Sequence, residues 1–272
     1  MLSRLQKLFS NGATKPTVVT FTGGMGAQII SAAIYWYLKA EGRKVYADLT
    51  YFDKSEHIAT VGRAGEVSHW SWQLDPFGLG QSSFEPAAPY SGRNIELIED
   101  GPQKMMLGLG ALRRPEVQQR FEISGNQAGV LPAGFSSGYM CIHVRRGDYV
   151  NVACHLVSDR EFFELAGKFA GLVKYLVVVS DSPIEEAFRK AISSGYEQSV
   201  FLDNVDAFTS HSIMRNARIL VCSNSQFSLI AALLNPRALV VLPKQWFGSK
   251  DRAIEAPIHE ACGFQVLNCV RM

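Results

Sequence analysis

The stretch His143-Val144-Arg145-Arg146-Gly147-Asp148-Tyr149 decides how this sequence is read. It begins where an apolar run, residues 139–144, gives way to charge, and such a run of apolar and β-branched residues reads as a buried strand. In open α/β sheets ligands bind outside the carboxyl ends of the strands, so two adjacent arginines at that place point to an anionic ligand. A guanidinium is permanently charged and presents a fork of donors that matches phosphate oxygens. A diphosphate is the simplest ligand that would use both. Asp148 can lock one guanidinium or bind a sugar hydroxyl. The same residues also suit a surface pair, Arg145 with Asp148, on a solvated loop, and the short motif alone leaves both readings open.

Downstream the pattern alternates strongly. Ser158-x-x-Glu161 is a capping box opening a helix to residue 170. Residues 175–179 read as a strand. Ser182-Pro183-x-Glu185 reads as a second capping box with proline at the first helical position. Strand 199–202, helix 206–216, strand 218–222, a helix capped at Ser225 and running through residue 234, and strand 238–242 follow. Alternation of this kind implies a parallel, doubly wound sheet. Three loops then open on one edge: residues 145–149, Ser180-Asp181-Ser182, and Ser223-Asn224-Ser225-Gln226. Ser225 and Gln226 fall at a helix start, where backbone N–H groups favour phosphate; serine and asparagine also cap helices with no ligand involved.

Upstream, residues 17–21 read as a strand, followed by Gly23-Gly24-Met25-Gly26-Ala27-Gln28, a helix over 29–40 and a strand over 44–48, a βαβ unit. A dinucleotide fingerprint would place a small residue where Ile29 stands, so a nicotinamide-dependent oxidoreductase fits poorly. Residues 54–137 are irregular, with helices expected near 104–112 and 115–121, Trp70 and Trp72 read as core residues, and residues 131–138 as a linker.

A length of 272 residues suits one large domain or two small ones, and 47% hydrophobic residues suffice for a core. A net charge of +2 gives no reason to expect a nucleic-acid partner. The five cysteines form no C-x-x-C pair, which argues against a zinc knuckle or a disulfide framework and for a reducing, cytoplasmic compartment. Cys141 and Cys222 read as core thiols. No stretch reaches the ~20 apolar residues that span a bilayer. Leu2, Leu5 and Phe9, interleaved with Arg4 and Lys7, allow a weak membrane-surface helix or a frayed leader.

Taken together these segments resemble the bacterial α-1,2-fucosyltransferases of glycosyltransferase family 11. Gly23 to Gln28 with Asp48-x-x-x-Phe52-Asp53 is similar to the family's G-G-L-G-N-Q opening. His143 to Val150, with Cys154 and Leu156, is similar to its H-x-R-R-G-D-Y-V segment. Ser180-Asp181 corresponds to its short serine/acidic loop. Ser223-Asn224-Ser225-Gln226-Phe227-Ser228 resembles N-S-S-F-S-W-W, and Pro243-Lys244-x-Trp246-Phe247 matches P-K-x-W-F. Ala27 departs from an asparagine, and Leu229-Ile230 replace a tryptophan pair.

The resemblance implies a GT-B-like fold of two Rossmann-like α/β domains facing a cleft: residues 14–135 on the acceptor side and residues 136–272 binding the nucleotide sugar. It implies inverting transfer of L-fucose from GDP-L-fucose to the 2-hydroxyl of a galactoside, in a glycan or lipid-linked oligosaccharide, on the cytoplasmic face of a membrane. No metal or other cofactor is implied. Arg146, backed by Arg145, would stabilise the departing diphosphate in place of a cation. His143 would orient the arginine loop or serve as a buried structural histidine. Asp148 would assist, while Asn224, Ser225, Gln226, Ser228 and Asp181 would hold donor oxygens, and Gly23, Gly24, Gly26 and Gln28 would form a glycine loop at the cleft. Asp48, Asp53, Glu66 and Glu96 are candidates for the general base. Another GDP-6-deoxyhexose donor, kept open by Leu229-Ile230, and a non-catalytic sugar-nucleotide or carbohydrate-binding protein are the alternatives.

Overall fold

The computed structural model describes residues 15–53, 71–87, 95–123, 130–147, 156–203, 205–243 and, for the backbone alone, 269–271. The chain divides into two compact units, Met1–Glu122 and Ile123–Met272. Trp70, Asp148, Tyr149, Val150, Cys154, Lys244, Trp246, Phe247, Glu66 and the amphipathic stretch at residues 1–10 lie outside the described residues.

In the first unit, β1 (Thr17–Thr20) is flanked by β2 (Val45–Asp48) and β3 (Glu96–Ile98), all parallel, in the order β2-β1-β3. Between β1 and β2 runs helix α1 (Met25–Ala40), whose buried face includes Ile29, Ile30, Ala33, Ile34 and Leu38. It starts four residues earlier than the apolar pattern alone indicated, because the chain turns sharply at Gly23, with φ of 66°, a conformation glycine adopts without steric cost. Helix α2 (Pro102–Ala111) packs against α1. Strand β3 has no clear sequence signal: three residues, Glu-Leu-Ile, none of them fully buried. The close approach of the two helices rests on Gly108, where a Cβ would lie 2.5 Å from Ile30 Cγ2 and 3.2 Å from the Ile30 carbonyl oxygen.

In the second unit, all the strands are parallel in the order β6-β5-β4-β7-β8-β9: β4 (Tyr139–Val144), β5 (Tyr175–Ser180), β6 (Gln198–Leu202), β7 (Ile219–Val221), β8 (Leu239–Leu242) and β9 (Cys269–Arg271). Every residue of β4 is buried, as expected of a central parallel strand covered on both faces. Helix α4 (Asp159–Phe169) begins with the Ser158/Glu161 capping box. It buries Phe162, Ala166 and Phe169 against Ile142, Val144 and Val178, and a buried Phe contributes about 1.5–3 kcal/mol. Helices α5 (Glu186–Ile192), α6 (Ala207–Asn216) and α7 (Gln226–Leu233) complete the alternation, and a short helix α3 (Pro115–Gln118) belongs to the first unit. Cys141 and Cys222 are buried thiols, and burial pushes the Cys141 thiol up, keeping it protonated.

Two expectations are corrected. Residues 131–138 are not a linker: Ala133–Ser137 is a 3₁₀ helix whose buried Phe135 stacks on Tyr175, with ring centroids 4.7 Å apart. Pro132 and the glycines, read as breakers, here shape a packed turn. The Ser182/Glu185 capping box does not form. Helix α5 starts after Glu185, with no side-chain cap, because the Ser182 hydroxyl accepts the Gly147 N–H at 3.1 Å instead.

Among the described residues no helix is long and apolar enough to cross a membrane. Gly108→Ala is expected to lower the stability of the first unit by about 1–3 kcal/mol through overpacking against Ile30, read as a lower midpoint in urea unfolding; an unchanged midpoint would show that α1 and α2 can separate freely.

Candidate active site

Strand β4 lies inside its sheet, with β5 and β6 built on one side and β7, β8 and β9 on the other. The chain therefore reverses its direction of travel between β4 and β7. At such a switch point the connections leave on opposite faces and open a crevice at the carboxyl ends of the strands. Two of the three loops singled out in the sequence, Arg145–Gly147 after β4 and Ser223–Gln226 after β7, border that point, and Asp181-Ser182 after β5 adjoins the first.

The loops are tied together by named contacts. His143 Nδ1 and the Ser223 hydroxyl are 2.7 Å apart, joining β4 to the loop after β7. Asp181 grips the arginine loop twice: one carboxylate oxygen accepts the Arg146 backbone N–H at 2.8 Å, and the other lies 2.6 Å from an Arg145 terminal nitrogen. The side chains of that pair are only 17% and 8% exposed, so solvent screens them little. Gly147 is needed because a Cβ there would sit 2.5 Å from Asp181 Oδ2.

Arg146 is fixed differently. One terminal nitrogen donates to the Val157 carbonyl at 2.7 Å and the other pairs with Asp159, while the guanidinium lies over the Phe162 ring, 5.7 Å from its centre. These contacts use two of its five N–H donors. Among the described residues Arg145 pairs with Asp181 and Arg146 with Asp159, carboxylates that the sequence did not link to the arginines. Asp148 itself is outside the described residues.

His143 is buried, and burial pushes its pKa down to about 4, with Arg145 adding to the drop and Asp181 opposing it. It is held neutral at pH 7 and hydrogen-bonded. Behind it, Phe227 packs between His143 and His211, with ring centres 5.6 and 5.3 Å away. His211 is also buried, and burial holds its pKa well below 6.5.

The loop after β7 is compact. Ser225 caps α7 by accepting the Phe227 N–H at 3.3 Å. The Ser228 hydroxyl, fully buried, shares its one proton between the Ser223 and Ser225 carbonyls, each at 3.3 Å. Asn224 and Ser225 are buried and Gln226 is half-buried. Leu229 and Ile230 are fully buried, so these residues pack into the core rather than against a bound sugar.

The glycine loop belongs to the first unit. Its Gln28 is a clasp: the side-chain amide donates to the Gly23 and Ser71 carbonyls, each at 2.8 Å, and accepts the Gln73 N–H at 2.8 Å. Gln73 reciprocates, accepting the Met25 N–H at the start of α1 at 2.7 Å. Gly24 and Gly26 fall at the N-cap and in the first turn of that helix. Of the base candidates, Glu96 lies at the amino end of β3, paired to Arg43, the wrong end of a parallel sheet for a ligand. Asp48 accepts both the Thr50 N–H and hydroxyl.

A sequence model described as "Glycosyl transferase family 11" matches residues 119–258, just over half of the chain. No curated protein matches the chain. Among solved structures, E. coli heptosyltransferase WaaC with ADP aligns over 94% of this chain and 92% of its own at 10% identity and a TM-score of 0.48. Fucosyltransferase NodZ from Bradyrhizobium aligns over 83% and 95% at 12% identity and a TM-score of 0.41. POFUT1 in complex with GDP-fucose aligns over 86% and 98% at 13% identity and a TM-score of 0.43.

Because the folded state holds His143 below its unfolded pKa of about 6.5, the unfolded chain binds more protons as pH falls through 6.5 towards 4. Stability present at pH 7 is therefore lost over that window. The melting temperature is expected to fall from pH 7 to pH 5, and His143→Gln to flatten that fall. Equal slopes in the two proteins would show that His143 protonates freely in the fold.

Proposed function

The chain belongs to glycosyl transferase family 11, and from that premise we propose that it moves L-fucose from GDP-L-fucose to the 2-hydroxyl of a galactoside, with inversion at the anomeric carbon. The observation that carries this reading is the pair of arginines immobilised at the β4/β7 switch point. Such a place suits the diphosphate of a nucleotide sugar. When the sugar leaves, negative charge grows on that diphosphate, and fixed positive groups stabilise it with no reorganisation.

Of the two, Arg146 is the one that meets the donor. Arg145 is committed to Asp181 in a sheltered pair, which positions the loop. Arg146 is paired with Asp159, which is more than half exposed, and a diphosphate can take over from an exposed carboxylate. Two arginines can supply the charge that a divalent cation supplies elsewhere, so the reading is of metal-independent transfer. Asn224, Ser225 and Gln226, at the start of α7, adjoin the same point and would meet donor oxygens. Ser228 would act from behind by shaping that loop. His143, neutral and bonded to Ser223, holds the two loops in register.

An inert sugar-nucleotide binder is a distinct reading of the same loops, and turnover separates the two. Thermal-shift measurements with GDP, UDP, CDP and NAD should show a rise in melting temperature with GDP alone, since a ligand that binds only the folded state stabilises it by mass action. A shift with NAD or none with GDP would refute the donor assignment. Arg146→Ala is expected to lower release of GDP from GDP-L-fucose by at least ~100-fold, the cost of one fixed transition-state donor, with the fold retained by circular dichroism. Activity within a few-fold of the parent protein would remove Arg146 from the mechanism. EDTA should leave the rate unchanged; loss that manganese restores would overturn the metal-independent reading.

A further inference from the structure

At the end of the second unit's sheet opposite the arginine loop, the amino ends of β4, β7 and β8 frame an open cavity of about 480 Å³, within the usual size range of small-molecule sites. Tyr139 opens β4, and Arg218 and Arg237 stand one and two residues before β7 and β8; all three line the cavity. Every lining residue falls in the second unit. Strand β4 is six residues long, so the cavity and the arginine loop at its other end are separated by roughly 17–20 Å.

Two guanidinium groups share this cavity, and among the described residues neither forms an ion pair. Both residues are exposed. Packing explains how Arg218 is seated: Gly138, with φ of 110°, leaves room for its stem, since a Cβ there would lie 3.3 Å from Arg218 Cδ. The carbonyls at the end of α6 do not need either arginine, because neutral donors serve them. The Tyr139 hydroxyl donates to the Ile213 carbonyl at 2.7 Å, and the Asn235 amide donates to those of Ala217 and Met214 at 2.9 and 3.4 Å. Helices α6 and α7 both end on this side, and each C-terminus contributes roughly half a negative charge. Two permanently charged guanidinium groups exceed that by about one unit, so the cavity favours an anion.

The rest of the wall defines what the anion carries. Pro132, Phe135 and Ile213 supply apolar surface. The Ser136 and Ser137 hydroxyls donate to the Ala133 and Gly134 carbonyls at 2.8 and 2.9 Å, which leaves both oxygens as acceptors for a ligand hydroxyl. A bare phosphate ion would fill only a small part of the volume. We propose that this cavity is a second binding site, for a small organic phosphate whose phosphate group lies between Arg218 and Arg237 and whose body rests against the 3₁₀ turn Ala133–Ser137. Arginine suits a phosphate because its fork of donors matches two oxygens at once. The site goes beyond the fucosyl-transfer reading and uses none of the residues assigned to GDP-L-fucose.

The test follows the melting temperature of the full-length protein with glucose 6-phosphate, phenyl phosphate, glucose and inorganic phosphate at equal concentration. Arg146→Ala, Arg237→Gln and the double variant Arg218→Gln/Arg237→Gln are measured beside it. At least one of the two organic phosphates should raise the melting temperature by roughly 2 °C or more, with inorganic phosphate giving a smaller rise and glucose none. The rise should persist in Arg146→Ala, shrink in Arg237→Gln and vanish in the double variant, with circular dichroism unchanged throughout. No rise with either organic phosphate, an equal rise with inorganic phosphate or glucose, or a rise that survives in the double variant would overturn the site. So would a rise abolished by Arg146→Ala, which would put the phosphate at the other end of β4. Arginine-dependent sedimentation with phosphatidylglycerol vesicles, in place of a rise with the soluble phosphates, would overturn it in favour of a lipid surface. Each of these results leaves the GDP-dependent melting shift, and with it the donor assignment, untouched.

Discussion

One carboxylate sets the geometry on which the second unit's site depends. Asp181 accepts the Arg146 backbone N–H and pairs with the Arg145 side chain, so the chain after β4 cannot splay into solvent. Two neighbouring cations would otherwise repel each other. With Arg145 neutralised in a sheltered pair, Arg146 can be held a short distance away against Val157, Asp159 and Phe162. The close fit of Gly147 against Asp181 belongs to the same device, because any side chain there would push the carboxylate away.

The two units carry different ion pairs at their strand ends. Each presents the carboxyl ends of a parallel sheet at a point where the strand order reverses. In the second unit two arginines are held there by two carboxylates, Asp181 and Asp159. In the first, a buried lysine, Lys104, pairs with the exposed carboxylate of Asp100.

Buried polar groups support this arrangement throughout. His143 is neutral and bonded to Ser223, so it joins the two central loops without placing another charge beside the arginines. Gln28 accepts the Gln73 N–H and donates to the Gly23 carbonyl, while Gln73 accepts the Met25 N–H, and together they close the glycine turn of the first unit. Each satisfies groups that would cost about 1–3 kcal/mol if buried without a partner.

The sequence by itself determined the parallel α/β character, most strand positions and the place of the arginine loop. Those features are written in local pattern: apolar runs for buried strands, capping residues for helices, charge at a strand end. The Ser158 and Ser225 caps were legible for the same reason, since a cap depends on residues within one turn. What only the tertiary structure decided depends on chain segments far apart. The partners of the arginines are Asp181 and Asp159, Ser182 serves Gly147 rather than its own helix, Glu96 falls at the wrong end of its strand, and residues 131–138 fold beneath Tyr175. The contact of Asp100 with Thr22, 78 residues away, and the burial of Lys104 leave no local pattern either. Hydrogen bonds and burial across such separations are set by how the sheets assemble, and spacing along the chain carries no trace of them.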